Sequence, residues 1–249
     1  MIPARRVDVL GLPIHALTRA AFLGLLDESL AAGSGRTFIG VNAHSLRLAL
    51  DDSLYFRILQ EADILYAEGA SIVFASCLLG GILPAKLTTT DLWPLCCELA
   101  VERGYAMFLL GGEPGLAQEA AAATRRRWPG IRIAGTFHGY FHGEDEEVVR
   151  AVNQARPDLL WVGMGEPRQA IWAQSHKKML HVGAILTCGG MFRLIAGTQR
   201  RPASLLHATG FEWLGRIMQE PAVWRRYARD FPFLGFRLFR ELLFRGWSR

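Results

Sequence analysis

The sequence has few cysteines, and their spacing suits neither a metal site nor a disulfide framework. Cys77, Cys96, Cys97 and Cys188 lie in apolar surroundings, without a C-x-x-C pair or paired histidines. Structural zinc sites and disulfide-rich domains are built from closely spaced ligand sets. We therefore interpret the four cysteines as core residues, without a zinc site or a disulfide framework. The sequence as a whole leads us to expect no metal and no cofactor.

Signals for export or membrane insertion are also missing. The first eighteen residues lack the apolar core and the small-residue cleavage site of a secretory signal. Residues 69–85 carry no charge and are nearly numerous enough to span a bilayer, but they include Gly69, Gly80 and Pro84. We expect a buried helix in this run and a chain that stays in the cytoplasm.

The G-x-G-x-x-G fingerprint of dinucleotide-binding folds is absent as well. The one comparable turn, GGEPG at residues 111–115, is not followed by an acid suited to a ribose. This argues against a nucleotide-dependent oxidoreductase.

Positive charge is concentrated at the C-terminal end. Residues 216–249 hold eight arginines and three acidic residues, so this segment accounts for the whole formal charge of +5. Its apolar residues include Phe and Trp, and a basic amphipathic helix of that kind fits an anionic membrane surface. The alternative is a helix packed on the protein's own core or on another subunit. No nucleic-acid-binding motif accompanies the arginines, so we expect no nucleic-acid partner.

Apolar runs typical of strands alternate with segments of helical periodicity. The predicted strands are 36–41, 64–66, 106–110, 131–134, 159–162 and 184–188. The predicted helices are 18–32, 43–60, 71–79, 90–103, 115–128, 144–155 and 168–178. This alternation predicts an α/β fold with a mostly parallel sheet and helices on both faces. The pattern changes after Gly197, so we expect a core at 1–197 and a basic helical appendage at 198–249.

Polar and glycine residues follow the predicted strands at the edge where such sheets bind ligands. These residues are Asn42, Glu68, Gly111, Gly163 and Gly189. Glu68 stands out because it separates two apolar segments, and a carboxylate there needs partners if it is buried. It is therefore either a capping residue or a residue that takes part in chemistry.

Two glycine turns could contact a ligand. The backbone N–H groups of Gly111 and Gly112 would suit a phosphate, although a tight turn between a strand and a helix explains them equally well. Gln169, in GMGEPRQ, can offer a donor and an acceptor to a sugar or base; a solvated helix start is the alternative.

Arginines gather after the last predicted strand. Arg193 follows a double glycine, and Arg200 and Arg201 come shortly after. Arginine pairs bidentately with phosphate oxygens, so these residues indicate a diphosphate held by cations rather than by magnesium. In TTTD, capping of the next helix by Thr90 or Asp91 explains the polar residues adequately.

Taken in order, these stretches resemble the WecG/TagA/CpsF family of bacterial glycosyltransferases. The matching motifs, between about residues 36 and 230, are Val41-Asn42, ADILYAEGASIVFASCLLG, KLTTTDL, LLGGEPGLAQEA, PDLLWVGMGEPRQAIW, CGGMFRLIAGTQRR and GFEWLGRIMQEPAVWRRY. The resemblance implies a Rossmann-like α/β core and an appendage that helps complete the site and touches the membrane. It also implies transfer of a sugar from a UDP donor to a polyprenyl-diphosphate-linked sugar, without a metal and with inversion.

The resemblance assigns roles to individual residues. Glu68 stands where the family has an aspartate thought to be the general base. The residues that it implies in substrate binding are Asn42, Lys86, Asp91, Gln169, Arg193, Arg201, Arg216 and Arg226. Three positions depart from the family pattern: Gly40 replaces a threonine, Lys86 an arginine and Arg193 an aspartate.

These departures leave the donor sugar open between N-acetylmannosamine and a glucose-type sugar. We expect an enzyme of cell-surface or exopolysaccharide synthesis, peripheral on the inner face of the plasma membrane. The alternative is a non-catalytic family member that docks on the membrane as a partner in a polysaccharide assembly complex. The sequence also leaves open whether the protein is a homo-oligomer.

Overall fold

The computed structural model describes residues 5–199 and 224–247, with side chains described as far as residue 244. Its main sheet has six strands, all paired in parallel. The strands are β3 (Arg36–Val41), β4 (Ile64–Ala67), β5 (Ala106–Gly111), β6 (Arg132–Phe137), β7 (Leu159–Gly163) and β8 (Ala184–Thr187). Their order across the sheet is β4-β3-β8-β7-β5-β6. The predicted α/β class and parallel sheet are confirmed.

Ten helices are present in the described residues. They are α1 (Arg19–Ala32), α2 (Ala43–Asp51), α3 (Ser53–Gln60), α4 (Ala70–Leu78), α5 (Thr89–Arg103), α6 (Leu116–Arg127), α7 (Asp145–Ala155), α8 (Arg168–His176), α9 (Met191–Ala196) and α10 (Trp224–Trp247). Alternating strand residues point to opposite faces of the sheet, and both faces are covered. Phe38 and Trp161 pack with α1, α5, α6 and α9 on one face, and Ile39 packs with α2, α3 and α8 on the other.

A hairpin near the start of the chain was not predicted. Strands β1 (Arg6–Val9) and β2 (Leu12–His15) pair antiparallel around Leu10 and Gly11, which both have positive φ. Two positive φ values are what a two-residue hairpin turn requires, but Leu at the first of them gives no turn signal in the sequence. The hairpin is tied to the core by His15, whose Nε2 accepts from Arg6 Nε at 3.1 Å and whose Nδ1–H donates to the Leu65 carbonyl of β4 at 3.1 Å.

The single helix predicted for residues 43–60 is wrong, because Asp52 divides it into α2 and α3. Asp52 leaves the helical conformation, and its Oδ1 accepts from the backbone N–H groups of Leu54 at 2.9 Å and Tyr55 at 3.2 Å. Asp competes for backbone hydrogen bonds and therefore favours helix N-termini over helix interiors. The break makes α3 a separate helix, and Tyr55 in its first turn bonds Glu166, which follows β7.

Helix α10 is docked on the core through α2. Leu234 and Leu238 are buried in the same cluster as Leu46. Asp230, only 1% exposed, accepts from Arg47 Nε at 2.6 Å and bonds His44 Nδ1 at 2.9 Å. Burial raises the pKa of Asp230, but His44 and Arg47 outweigh it, so that pKa lies below its ordinary value. Packing on the core, one of the two expected roles of this segment, is therefore observed.

None of the helices in the described ranges combines the length and the apolar character that a membrane span needs.

We predict that Asp230→Ala loosens α10 from α2. Removing one partner of a buried ion pair costs about 3–5 kcal/mol, because the other charge stays buried without compensation. Hydrogen exchange of the α10 amides should accelerate strongly, while the amides of the central strands stay protected. Arg229→Ala is the matched control, since Arg229 is exposed on the same helix. Equal exchange rates in both variants would show that the ion pairs of Asp230 do not hold α10 on α2.

Candidate active site

Polar groups from four neighbouring strands meet at the carboxyl edge of the sheet. Asn42 follows β3, Glu68 follows β4, Glu166 follows β7 and Gly189 follows β8. These strands are adjacent in the order β4-β3-β8-β7. Ligands of open α/β sheets bind at this edge, so these residues form the candidate active site.

Glu68 is held in place by its backbone and by both carboxylate oxygens. Its N–H donates to the Val41 carbonyl at 2.9 Å, which fixes it beside the end of β3. Oε2 accepts from Asn42 Nδ2 at 2.9 Å, and Oε1 accepts from the Thr89 hydroxyl. The partly buried carboxylate thus lies between the N-termini of α2 and α5, the helix ends that stabilise negative charge.

Asn42 is oriented by its role as the N-cap of α2. Its Oδ1 accepts from the N–H groups of His44 at 3.0 Å and Ser45 at 3.1 Å, and Ser45 Oγ accepts from the Asn42 N–H at 2.8 Å. This capping box uses the amide oxygen, so Nδ2 is the atom left to face Glu68. One residue therefore starts the helix and positions the carboxylate.

Thr89 reaches Glu68 because α5 begins earlier than predicted. The N-cap is Thr88, whose side chain makes no capping bond. Capping by Thr90 or Asp91 is therefore wrong, and the middle threonine of TTTD contacts Glu68 instead.

Glu166 is a second carboxylate of the site. Its Oε2 accepts from the Tyr55 hydroxyl at 2.7 Å, and its Oε1 accepts from Gln169 Nε2 at 2.7 Å. Gln169 is 4% exposed, and its Oε1 accepts from the Gly189 N–H at 2.9 Å. Gln169 thus ties the turn after β7 to the turn after β8.

The negative charge of Glu68 acts on the pKa values of Glu166 and Tyr55. Burial raises the pKa of Glu166 to about 7; the bonds from Gln169 and Tyr55 oppose this shift, and the charge of Glu68 adds to it. The pKa of Tyr55 is also raised, first by burial, then by Glu166 and then by Glu68.

Lys86 and Asp91, both predicted to bind substrate, lie on the segment that follows α4. The Leu87 N–H, next to Lys86, donates to the Ala67 carbonyl at 2.8 Å, so this loop is fastened beside Glu68. Asp91 is in the first turn of α5, and its Oδ2 lies 3.9 Å from a guanidinium nitrogen of Arg19.

The space beside Gly40 is taken by Tyr66 on the neighbouring strand. A Cβ at position 40 would lie 3.1 Å from the Tyr66 hydroxyl and 3.1 Å from Glu68 Cβ. Among the described residues the buried Tyr66 hydroxyl has no hydrogen-bond partner of normal geometry, although the Thr89 side chain is close enough to act on its pKa. The tyrosine therefore fills the region into which a threonine at position 40 would project.

Gly111 and Gly112 make a tight turn against β7. The Gly112 N–H donates to the Gly163 carbonyl at 3.0 Å, and a Cβ on Gly111 would lie only 2.2 Å from that oxygen. The turn thus requires glycine for close packing. Phosphate binding by this loop stays a prediction, and the Gly112 N–H is already paired in this conformation.

The predicted arginines are spread over several elements. Arg193, on α9, forms an exposed ion pair with Glu113 at 3.0 Å. Arg226 lies at the start of α10, with its guanidinium 5.3 Å from the ring centre of Tyr227. Arg201 and Arg216 lie outside the described residues. Helix α10 is linked to the site through His44, which bonds both Asp230 and Asn42.

The cysteines are not all core residues. Cys96, Cys97 and Cys188 are buried as predicted, but Cys77 on α4 is exposed, so that prediction is wrong for Cys77.

Tyr55, Thr89 and Glu166 were missed by sequence reasoning. Glu166 lies inside the glycine turn that drew attention to Gln169, and its acidic side chain three residues before Gln169 was the available signal. Tyr55 had no such signal, because its position depends on the break at Asp52.

Comparison with known proteins finds a matching family model and similar sequences. The model of the Glycosyl transferase WecG/TagA/CpsF family matches residues 7–248. Proteins of Staphylococcus aureus strains MW2 and NCTC 8325 are each 27% identical over 226 residues, which cover 90% of this chain and 87% of theirs. Both are named N-acetylglucosaminyldiphosphoundecaprenol N-acetyl-beta-D-mannosaminyltransferase.

The raised pKa of Glu166 predicts a pH-dependent stability. Between its ordinary pKa of 4.5 and its folded value of about 7, the folded state binds more protons than the unfolded state. The free energy of unfolding therefore falls as pH rises through this window. The Glu166→Gln variant lacks this titration. Its free energy of unfolding relative to the wild type should therefore grow by on the order of 3 kcal/mol as pH rises across the window.

Urea unfolding at several pH values measures this difference. Glu147→Gln is the control, because Glu147 is an exposed glutamate on α7. A Glu166→Gln curve parallel to the wild-type curve would show that Glu166 does not titrate as described.

Proposed function

Because the chain belongs to the Glycosyl transferase WecG/TagA/CpsF family, we propose that it moves a sugar from a UDP-sugar to a polyprenyl-diphosphate-linked acceptor. The Staphylococcus aureus relatives carry names that specify such an acceptor. The observation that carries the proposal is the Glu68 carboxylate, held at the ligand-binding edge of the sheet by Asn42 and Thr89.

Glu68 has the properties of a general base. Its position is fixed by an amide and a hydroxyl rather than by a cation, and no ion pair to it is found in the described part of the chain. In the proposed step Glu68 accepts the proton of the acceptor hydroxyl while that oxygen attacks the anomeric carbon of the donor. The bond from that carbon to UDP breaks, and attack from the opposite side inverts the configuration.

The leaving UDP carries negative charge that the protein must stabilise. We assign this role to Lys86, Arg201, Arg216 and Arg226, with Arg193 at the edge of the donor site. Fixed cations aimed at the developing charge are an effective form of transition-state stabilisation and can act without magnesium. The fastening of the Lys86 loop at Ala67 supports this assignment, since it brings that loop next to the base.

Asn42 and Gln169 have different tasks in this scheme. Asn42 caps α2 with its Oδ1 and donates one N–H of its Nδ2 to Glu68, so we assign it the task of holding the base in place. The bonds of Gln169 use one of its two N–H groups, and the other is assigned to the sugar or nucleotide of the donor.

The donor sugar depends on the space near Gly40. The relatives are named for N-acetylmannosamine transfer, but here Tyr66 occupies the region beside position 40. The proposal therefore covers N-acetylmannosamine and glucose-type donors, and a panel of UDP-sugars separates them.

We place the protein on the cytoplasmic surface of the membrane, where a polyprenyl-linked acceptor is held. The side of α10 that does not pack on α2 exposes large apolar residues. Phe236, Phe239 and Leu243 are 64%, 62% and 54% exposed, and the neighbouring Arg240 is exposed as well. Aromatic residues with flanking arginines bind the interface of anionic bilayers.

We predict that Glu68→Gln reduces the rate of sugar transfer by about 10²–10⁴-fold, the range for loss of a general base. The amide keeps the size of the side chain, so the melting temperature should change little. Transfer is measured with UDP-N-acetylmannosamine and UDP-glucose as donors, and with a short-chain diphosphate-linked N-acetylglucosamine as acceptor.

Glu61→Gln serves as the control, because Glu61 is exposed beyond the end of α3. Near-normal transfer by Glu68→Gln would remove Glu68 from the mechanism. A wild-type protein that binds the membrane but neither binds nor consumes a UDP-sugar would favour the non-catalytic assembly partner instead.

We predict that the double variant Phe236→Ser/Phe239→Ser binds anionic vesicles at least about tenfold more weakly than the wild type. Each replacement removes apolar area that the bilayer would otherwise shield from water. Burial of apolar area contributes about 25 cal/mol per Å² to the binding free energy. Co-sedimentation with phosphatidylglycerol vesicles measures the affinity. Tyr140→Ser is the control, since Tyr140 is 56% exposed in the loop after β6. Unchanged binding by the double variant would contradict the assigned surface.

A further inference from the structure

Glu166 is a carboxylate of the site to which the transfer reaction gives no role. It lies in the turn after β7 and is partly buried. A carboxylate taken out of water is costly unless its oxygens are satisfied, so its partners indicate what it is held there to do.

The contacts of Glu166 arrange two other side chains. Tyr55 on α3 donates to Oε2 at 2.7 Å, and Gln169 on α8 donates to Oε1 at 2.7 Å. The bond from Tyr55 prevents rotation of the carboxylate, and the carboxylate in turn fixes the amide of Gln169. The Gly189 N–H holds the other end of that amide at 2.9 Å. Gln169 is therefore clamped at both ends.

The clamp depends on charge. A hydrogen bond to an ionised acceptor is roughly twice as strong as one to a neutral acceptor, so the ionised carboxylate holds Gln169 best. The charged or titratable groups that act on Glu166 are Tyr55 from α3 and Glu68 from the end of β4. No ion pair to Glu166 is found in the described ranges. The clamp is therefore controlled by the ionisation of Glu166 itself.

We propose that Glu166 is a positioning residue for donor binding: with Tyr55 as its support, its carboxylate orients the Gln169 amide that contacts the UDP-sugar. This inference rests on the proposed function and adds a second acidic residue to it, with a role distinct from that of Glu68. Glu166 sets the affinity for the donor, whereas Glu68 sets the rate of the chemical step.

The expected pH dependence follows from the clamp. When Glu166 is protonated, its Oε2–H donates a hydrogen bond, and the Tyr55 hydroxyl can accept this bond by rotating. Oε1 then remains as a neutral and weaker acceptor for Gln169. The UDP-sugar should therefore bind more weakly below pH 7 than above it, because the pKa of Glu166 is about 7.

The test is calorimetric titration of the wild type and variants with UDP-N-acetylmannosamine and UDP-glucose at about pH 6 and about pH 8. At the higher pH, Glu166→Gln should weaken UDP-sugar binding about fivefold, because the Gln169 amide then bonds a neutral acceptor. Glu166→Ala should weaken it at least about tenfold, because the acceptor is missing. Tyr55→Phe should resemble Glu166→Gln. The wild type at the lower pH should approach Glu166→Gln, whose own affinity should not change with pH.

Gln169→Ala provides the matched control. If Glu166 acts through Gln169, adding Glu166→Gln to Gln169→Ala should weaken donor binding no further. The value of kcat at saturating donor should stay within about twofold of the wild type in Glu166→Gln, since Glu68 is retained. A purely structural role would lower the melting temperature without changing the pH dependence of donor affinity.

Two results would overturn the inference alone: equal donor affinity of the wild type and Glu166→Gln at both pH values, or a fall in kcat with unchanged affinity. A wild type that binds a UDP-sugar but does not transfer it would overturn the proposed function, while donor affinity still tests Glu166. A wild type that binds neither UDP-sugar overturns both.

Discussion

The site depends on how the fold accommodates a carboxylate at the junction of a buried strand and a partly buried helix. Glu68 follows a fully buried strand and precedes an uncharged helix, so its negative charge must be compensated by groups that the fold supplies. The parallel sheet supplies them because it brings the starts of α2 and α5 to the same edge as the end of β4. Asn42 caps one helix and Thr89 begins the other, and both donate to Glu68. The residues that start these helices are thus the residues that orient the acid.

The same arrangement links the acid to the surface that we assign to the membrane. His44 donates its backbone N–H to Asn42 and bonds Asp230 of α10 with its ring. Helix α10 is therefore fixed to the helix whose cap positions Glu68, while its opposite side exposes Phe236 and Phe239. A lipid-linked acceptor places its reacting sugar close to the bilayer. A rigid connection between that surface and the base is consequently useful for the chemistry proposed here.

The fold could be predicted from the sequence to the extent that local patterns determine it. Residues 36–41 form a strand with the predicted bounds, because an apolar run, here 38–41, followed by Asn42 is characteristic of a buried strand before a helix cap. Asn42 and Glu68 were expected at one edge because parallel strands bring their carboxyl ends together. The hairpin at residues 6–15 was missed because its strands have four residues each and its turn begins with Leu10.

Contacts between distant segments account for the parts of the site that were missed. Tyr55 and Glu166 are 111 residues apart, and Tyr55 lies on the separate helix that begins after Asp52. Thr89 was ambiguous among three consecutive threonines, since which of them faces Glu68 depends on where α5 begins. Tyr66 fills the space beside Gly40 through strand pairing, which the spacing along the chain does not reveal.

The most direct test of the role of Glu68 is a crystal structure with a non-hydrolysable UDP-sugar and a short-chain acceptor analogue. The mechanism predicts that the acceptor hydroxyl lies about 3 Å from a Glu68 carboxylate oxygen, on the side of the anomeric carbon opposite to UDP. An acceptor hydroxyl bonded to another group, with Glu68 far from both substrates, would contradict the mechanism.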